Sequence, residues 1–388
     1  MAKSLDPSTQ RATSRRSPFN SWRHALAIDL GSQQIRIFQE TTAAKQRGER
    51  ENLLTEAACV ARKIMQRPGL LPAKSQILAV GNDALEMRDR LGDEVEVIFP
   101  IVAGRIIDPQ LAKFLLRTLL KRALKIHRFW PFVMSPVVMV TVKAGTSDFA
   151  RQSLAGLLYQ LGASEVHIIV EPLAAAIGVG VPVADAAGTL LMQLGAGSVE
   201  VAAIALGSLV AFETSLWSGE LAAWDIDEAL KAYLVKEQHL MIGWQTSEQL
   251  KKQLSFSQAG LLTSPLPSSQ AKTLTVVGRD LVSQQIKTVR LKSSDLAPLL
   301  QAVADSYVLM IQRLLKQVPS ELLVDILDRG LLLSGDLAKL EHLDYYLSQQ
   351  LKLPVVVVDD PQLAAARGAL TILGNLSQFK NSLAYLDR

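Results

Sequence analysis

The amino-acid sequence predicts an α/β protein made of two related lobes. Two observations carry this prediction: apolar strands alternate with helices along most of the chain, and one strand–turn–strand pattern occurs twice. A hydrophobic content of 49% beside 20% charged residues, spread over 388 residues, supplies enough apolar side chains for more than one core. Disordered, collagenous and coiled-coil classes are excluded by the same composition.

Taken in order, residues 1–23 mix Ser, Thr, Pro and Arg without an apolar period and are expected to be a disordered basic tail. Lys3, Arg11, Arg15, Arg16 and Arg23 against Asp6 give this end a charge of +4, the net charge of the whole chain. The body is therefore close to neutral. It has no surplus of cations for a phosphate-binding face, so nucleic acid is not expected as a partner. Leu26 to Ile28, a turn at Gly31 and the alternating Ile35 and Ile37 predict a hairpin. Val137 to Thr141 predicts a strand covered on both faces, Ala150 to Leu161 a helix, and Val166 to Val170 another buried strand. A helix from Pro172 to Val179 and a second hairpin from Thr189 to Leu206 come next, and Leu261 to Gln270 is a Pro- and Ser-rich surface loop. The lone Cys59 allows no internal disulfide and suits a reducing cytoplasm. No apolar run reaches the roughly 18 residues of a spanning helix, and no signal peptide follows Met1. His24, His127, His167, His239 and His342 lack metal-ligand spacing, so no metal centre is expected.

The chain also matches itself. LAIDLGSQQIRI, from Leu26 to Ile37, lies over LLMQLGAGSVEV, from Leu190 to Val201, with Gly31 matching Gly195. LLLSGDL, from Leu331 to Leu337, is a looser third relative. Two such turns facing one cleft would offer backbone N–H groups to a polyphosphate. Ser32 and Ser198 sit in these turns without a patterned His and acid, so they are not expected to be nucleophiles.

EPLAAAIGVGVPVADAAGTLLMQLGAGSVEVAAIALG, from Glu171 to Gly207, resembles a stretch of the MreB-like bacterial actins nearly residue for residue. AVGNDALEM from Ala79, DRGLLLSGDLAKL from Asp328 and LPVVVVDDPQLAAARGAL from Leu353 extend the resemblance over roughly residues 25–373. Sugar kinases and Hsp70 share the fold but not this wording. The resemblance implies an actin-like two-lobed fold, with duplicated ribonuclease-H-like core domains and smaller satellite subdomains. Expected bounds are 24–165 for lobe I, with a satellite around 46–75, and 166–373 for lobe II. Lobe II would have its core in 166–222 and 293–373 and its satellite in about 223–292. Residues 374–388 would form a C-terminal extension.

The same resemblance implies a nucleotide site at Asp29, Gly31, Ser32, Gly195, Gly197, Ser198, Glu248, Lys251 and Gly335. It also implies a cleft that has decayed. Gln193 stands where the family has a metal-side Asp, and it cannot supply the anionic oxygens that Mg²⁺ prefers. Ala196 adds a Cβ where backbone should approach phosphate. Phe149 falls at the position of the catalytic Glu, with Asp148 adjacent, and phenylalanine can orient no water. Ala222 to Ala229 and Leu333 to Ala338 have lost glycines, and Asp336 would repel a phosphate unless a cation intervened. Weakened binding of ATP or ADP, an uncertain Mg²⁺ site and slow or absent hydrolysis are the expectations.

Ahead of the strand at Val137, the segment KIHRFWPFVMSP places Phe129, Trp130, Phe132 and Met134 beside Lys121, Arg122, Lys125 and Arg128. In MreB-like proteins a hydrophobic loop at this place dips into the membrane, and cations beside an aromatic wedge suit anionic headgroups. The expected protein is a cytoplasmic, membrane-peripheral scaffold for cell shape, on the inner face of the cytoplasmic membrane. Its partners would be itself in a head-to-tail protofilament, or an MreB paralogue, and the membrane proteins of cell-wall synthesis. Two alternatives stay open: an active ATP-hydrolysing filament, and a monomeric adaptor of a pilus or division assembly.

Overall fold

The computed structural model describes residues 25–40, 52–65, 74–90, 94–124, 135–216, 221–262 and 272–379. In the first lobe, β1 (Ala25–Leu30), β2 (Gln34–Glu40) and β3 (Asn52–Ala57) form an antiparallel meander, and the short turn at Gly31 suffices to reverse the chain between β1 and β2. β4 (Val60–Met65), β5 (Lys74–Val80) and β6 (Val95–Ile98) leave that sheet for one of their own, and β7 (Ile101–Val102) pairs with β8 (Arg105–Ile106). The chain returns through the helix Pro109–Ala123, whose Asp108 cap accepts from the Gln110 and Leu111 amides. β9 (Val137–Val142) and β10 (Glu165–Val170) then add in parallel, giving the order β10-β9-β1-β2-β3.

The second lobe repeats this plan. β11 (Thr189–Leu194), β12 (Ser198–Ala205) and β13 (Ser208–Leu216) form its meander. The satellite sheet of β14 (Leu240–Met241), β15 (Thr273–Asp280) and β16 (Ile286–Lys292) comes next, and β17 (Leu331–Ser334) and β18 (Val355–Val357) complete the order β13-β12-β11-β17-β18. β11 and β12 are buried at every residue, as strands covered on both faces must be.

Three expectations need correction. β17 is not a third hairpin: Gly335, at φ 90°, leads into a 3₁₀ turn at Asp336–Lys339, and no described return strand pairs with it. Instead β17 lies parallel to β11, as β9 lies parallel to β1. The boundary at residue 166 does not follow the hydrogen bonding either. β10 pairs with β9 in the first sheet, and the helix Ala364–Gly374 packs into the first core rather than the second. Lastly, the first satellite is built from β4, β5, β6 and the helix Asn82–Glu86, so it reaches Ile98 rather than stopping near residue 75. Residues 1–24, 41–51 and 380–388 lie outside the described residues, and with them the expected tail and most of the expected extension. Most of the loop expected from Leu261 to Gln270 lies outside them too. Leu376 and Phe379 pack against the first core.

Beneath the junction of the lobes, the helices Glu171–Gly178 and Ala364–Gly374 cross with their backbones in contact. A Cβ on Gly368 would overlap the Ala174 carbonyl oxygen, and one on Gly178 would overlap that of Ala364.

Candidate functional site

The turns after β1 and β11 come together across the cleft. Gly197 faces Ser32 so closely that a Cβ on the glycine would overlap the serine side chain. Ser32 is buried, and its Oγ accepts from the Ala103 amide at 2.8 Å. Gly195 and Ala196 turn their carbonyls onto the Ala223 and Trp224 amides at 3.1 and 3.0 Å, capping the helix Ala223–Gln238. Asp29, Gly31, Ser32, Gly195, Gly197, Ser198 and Gly335 thus share one small cavity, whose open volume is about 30 Å³. It runs on into the hollow bordered by Glu248 and Lys251, with Gln33, Gln34, Ala196 and Asp336 lining both.

Charged side chains fill the remainder. Lys143, 5% exposed, donates through Nζ to Glu171 Oε2 and lies 3.3 Å from Glu200 Oε2. Glu171 Oε1 accepts from Gln193 Nε2 at 3.0 Å, and Glu200 Oε1 accepts from the Ala144 amide at 2.6 Å. Asp29 accepts from Thr141 Oγ1 at 3.0 Å and from Arg36 Nη1 at 3.5 Å. Arg36 then crosses the cleft, where its Nη2 donates to both carboxylate oxygens of Asp336 at 3.1 and 3.0 Å. The cation required beside Asp336 is therefore an arginine of the same chain.

Burial pushes the Glu200 carboxyl up to about 7, against the opposing pull of Lys143, and burial with the nearby Glu171 pushes Asp29 up to about 6. Burial works against the charge of Lys143, yet Glu171 and Glu200 raise its pKa above the usual value. A carboxyl with a raised folded pKa binds its proton more tightly in the folded state. Its contribution is complete below the unfolded value of 4.5 and is lost as pH rises through about 7. Thermal melts between these limits are expected to fall with rising pH, and more steeply for the wild type than for Glu200→Gln. Parallel profiles would refute this origin. The groups facing Glu200 are Lys143, Glu171 and the Ala144 amide.

Farther out, Glu248 and Lys251 border a hollow of about 310 Å³ with Gln33, Asp336 and Lys339. Both already have partners: Lys251 Nζ bonds Asp227 Oδ2 at 2.6 Å, and Glu248 Oε1 accepts from Gln33 Nε2 at 3.1 Å and pairs with Lys252. A separate, mainly apolar hollow of about 320 Å³ lies between Phe99, Trp224 and Trp244, beyond the glycine turns. At the mouth of the cleft, Asp89 Oδ2 accepts from the Trp244 amide at 2.5 Å and Arg90 Nη2 reaches Gln245 Oε1 at 3.1 Å. These contacts join the two satellites.

Phe149 is not in the cleft. The helix Asp148–Gln160 starts on the Ser147 cap, and in its first turn Phe149 points outward at 81% exposure, with Asp148 exposed beside it. The inward side of that helix runs through Leu154, Leu157 and Leu158, so the first-turn position sharing it is Ala150, four residues before Leu154. Alanine carries no group that could polarise water. Among the described residues, no cluster of His, Cys, Asp and Glu is arranged to hold a metal ion. Phe129, Trp130, Phe132 and Met134 lie outside the described residues. No described helix is long and apolar enough to cross a membrane.

Arg36, Lys143, Glu171 and Glu200 were missed by pattern reasoning. For Arg36, Lys143 and Glu200 a signal was present as charged residues within or at the end of the apolar strand runs QIRIF, VMVTVK and SVEVA, and for Glu171 as an acid between the apolar strand HIIV and the apolar helix PLAAAIG.

The chain is similar to known proteins along most of its length. It is 31% identical over 343 residues to the cell shape-determining protein MreB of Escherichia coli strain K12, covering 88% of this chain and 91% of that one. The crystal structure of MreB5 of Spiroplasma citri bound to AMPPNP superimposes with a TM-score of 0.78 at 21% identity, covering 93% and 99% of the two chains. A MamK double helical filament structure gives 0.68 at 19% identity, with 91% and 99% covered. The sequence pattern of the MreB/Mbl protein family matches residues 23–381. With the two five-stranded sheets and their facing turns, that match makes the chain a member of the MreB/Mbl family, with the actin-like fold.

Proposed function

We propose that this protein is a cell-shape scaffold of the MreB type that assembles head to tail, alone or with an MreB paralogue, and hydrolyses ATP slowly or not at all. The family and the cell-shape role of the E. coli relative support the first part, and the filament formed by MamK supports self-assembly on this fold. The single observation behind the second part is the filling of the space between the glycine turns. Lys143 is tied there to Glu171 and Glu200, Glu171 also accepts from Gln193, and Arg36 is bonded to Asp29 and Asp336. These residues do not fit a metal-bound triphosphate.

Titration of the purified protein with ATP and Mg²⁺, followed by a phosphate-release assay, tests this reading. Weak or no uptake without phosphate release is expected. Micromolar binding with sustained release would remove it in favour of an active filament ATPase. That second reading draws on the 310 Å³ hollow at Glu248 and Lys251, and on the AMPPNP bound by the S. citri relative. Negative-stain microscopy separates both from a monomeric adaptor, which would form no filaments.

The same reading places the protein on the inner face of the cytoplasmic membrane, where it would meet the membrane proteins of wall synthesis. Support comes from the aromatic run Phe129, Trp130, Phe132 and Met134 beside basic residues. Replacing Trp130 and Phe132 together by Ser is expected to abolish sedimentation with anionic liposomes while leaving the protein soluble. Unchanged pelleting would eliminate this loop as the anchor.

A further inference from the structure

We infer that the Lys143 ammonium is the resident cation of the cleft, a tethered counter-ion that neutralises the converging carboxylates and joins the lobes without metal or nucleotide. The inference rests on the reading that the cleft takes no metal-bound triphosphate, and it goes further by assigning to a residue the role a metal ion would have there.

Lys143 follows β9 of the first sheet, Glu171 begins the helix under the junction, and Glu200 lies on β12 of the second sheet. One ammonium therefore touches carboxylates from both sides of the cleft. The Ala144 amide of the first lobe holds Glu200 from across the cleft, and Gln193 of β11 likewise holds Glu171. Buried carboxyls at this density must either hold a proton or meet positive charge, which in carboxylate-lined clefts is commonly a divalent ion. Here the charge is covalent. A lysine stem delivers it as a compact point charge, needing neither bidentate geometry nor a hydration shell to be stripped on each closure. Arg36 repeats the logic one layer out, binding Asp29 within its own lobe and Asp336 across the cleft. The amide and side-chain bonds at Asp89 and Arg90 shut the mouth. With both ends of the cleft bridged by side chains, closure needs no ligand to link the lobes.

A lysine that merely fills space would leave nothing for a metal to replace. A lysine that stands in for a cation leaves, on removal, carboxylates that a cation can restore. Lys143→Ala is expected to melt several degrees below the wild type in EDTA, with millimolar Mg²⁺ or Mn²⁺ returning about half of the loss, all without nucleotide. The wild type should melt at the same temperature in EDTA and in Mg²⁺. Adding Glu200→Gln to Lys143→Ala should cancel the metal response. A lowered melting temperature that ignores both ions overturns the inference, and so does a wild type that Mg²⁺ stabilises. If Lys143→Ala does not fold, refolding it with and without Mg²⁺ decides equally well: recovery with the ion alone supports the role, and recovery in neither refutes it. The functional reading fails separately, by phosphate release from ATP in the wild type.

Discussion

Gly368→Ala is expected to prevent folding at 37 °C, with a loss of stability of roughly 5 kcal/mol or more, beyond the ordinary range for single substitutions. The glycine lies in the helix Ala364–Gly374 where it crosses Glu171–Gly178, and the added Cβ has nowhere to go because its neighbour is the Ala174 carbonyl, backbone rather than a flexible side chain. Both helices are buried nearly throughout, so separating them would open the core on which the first sheet rests. Circular dichroism and soluble yield report the outcome. Gly178→Ala should behave alike, since its Cβ would meet the Ala364 carbonyl. By contrast, Gly156→Ala has nothing within 4 Å of the new Cβ and replaces a helical glycine, so it should stabilise by about 0.5–1 kcal/mol. Wild-type melting of Gly368→Ala would refute the contact between the helices.

The second large effect is expected at Arg36→Ala, with a loss of about 3 kcal/mol. Its side chain is 6% exposed and that of Asp29 is 4%, so the substitution leaves a buried carboxylate with the Thr141 hydroxyl as its hydrogen bond and Lys143 as the remaining cation acting on it. The Asp336 side of the bridge is half exposed, and water and salt screen it, so most of the loss belongs to Asp29. Arg36→Lys should recover only part, because one ammonium cannot reach Gln34, Asp336 and Asp29 together as the planar fork does. Urea unfolding measures the difference. Stability within about 0.5 kcal/mol of the wild type for Arg36→Ala would show that the bridge across the cleft carries no weight.

The two hairpins were legible because a strand–glycine–strand pattern is local: β1 with β2 and β11 with β12 need only a turn and alternating apolar residues. The pairing of their turns was legible because duplication implies symmetry. LLLSGDL was misleading for the same reason. It has the strand and the glycine, but a 3₁₀ turn comes after them, and the strand it imitates is β9 rather than β1. Phe149 lies outside the cleft because on a helix one residue is about 100° of rotation, which turns Phe149 outward and Ala150 to the side of Leu154. Nor could the place of the helix Ala364–Gly374 in the first core be read from the chain, since the packing partner of an apolar helix is not written in its period.

By itself the sequence determined the α/β layers, the duplicated hairpins and the resemblance to MreB-like actins, all of which depend on residue type and short-range order. Only the tertiary structure decided how the charges of the cleft are paired. Lys143, Glu171 and Glu200 come from three distant segments, and Arg36 meets Asp336 across 300 positions of chain. Whether such charges repel a ligand, bind a metal or neutralise one another depends on distances of a few ångströms in a water-poor interior, where Coulomb energies are large and fall off with separation. Sequence spacing does not encode those distances; the closing of two sheets against each other does.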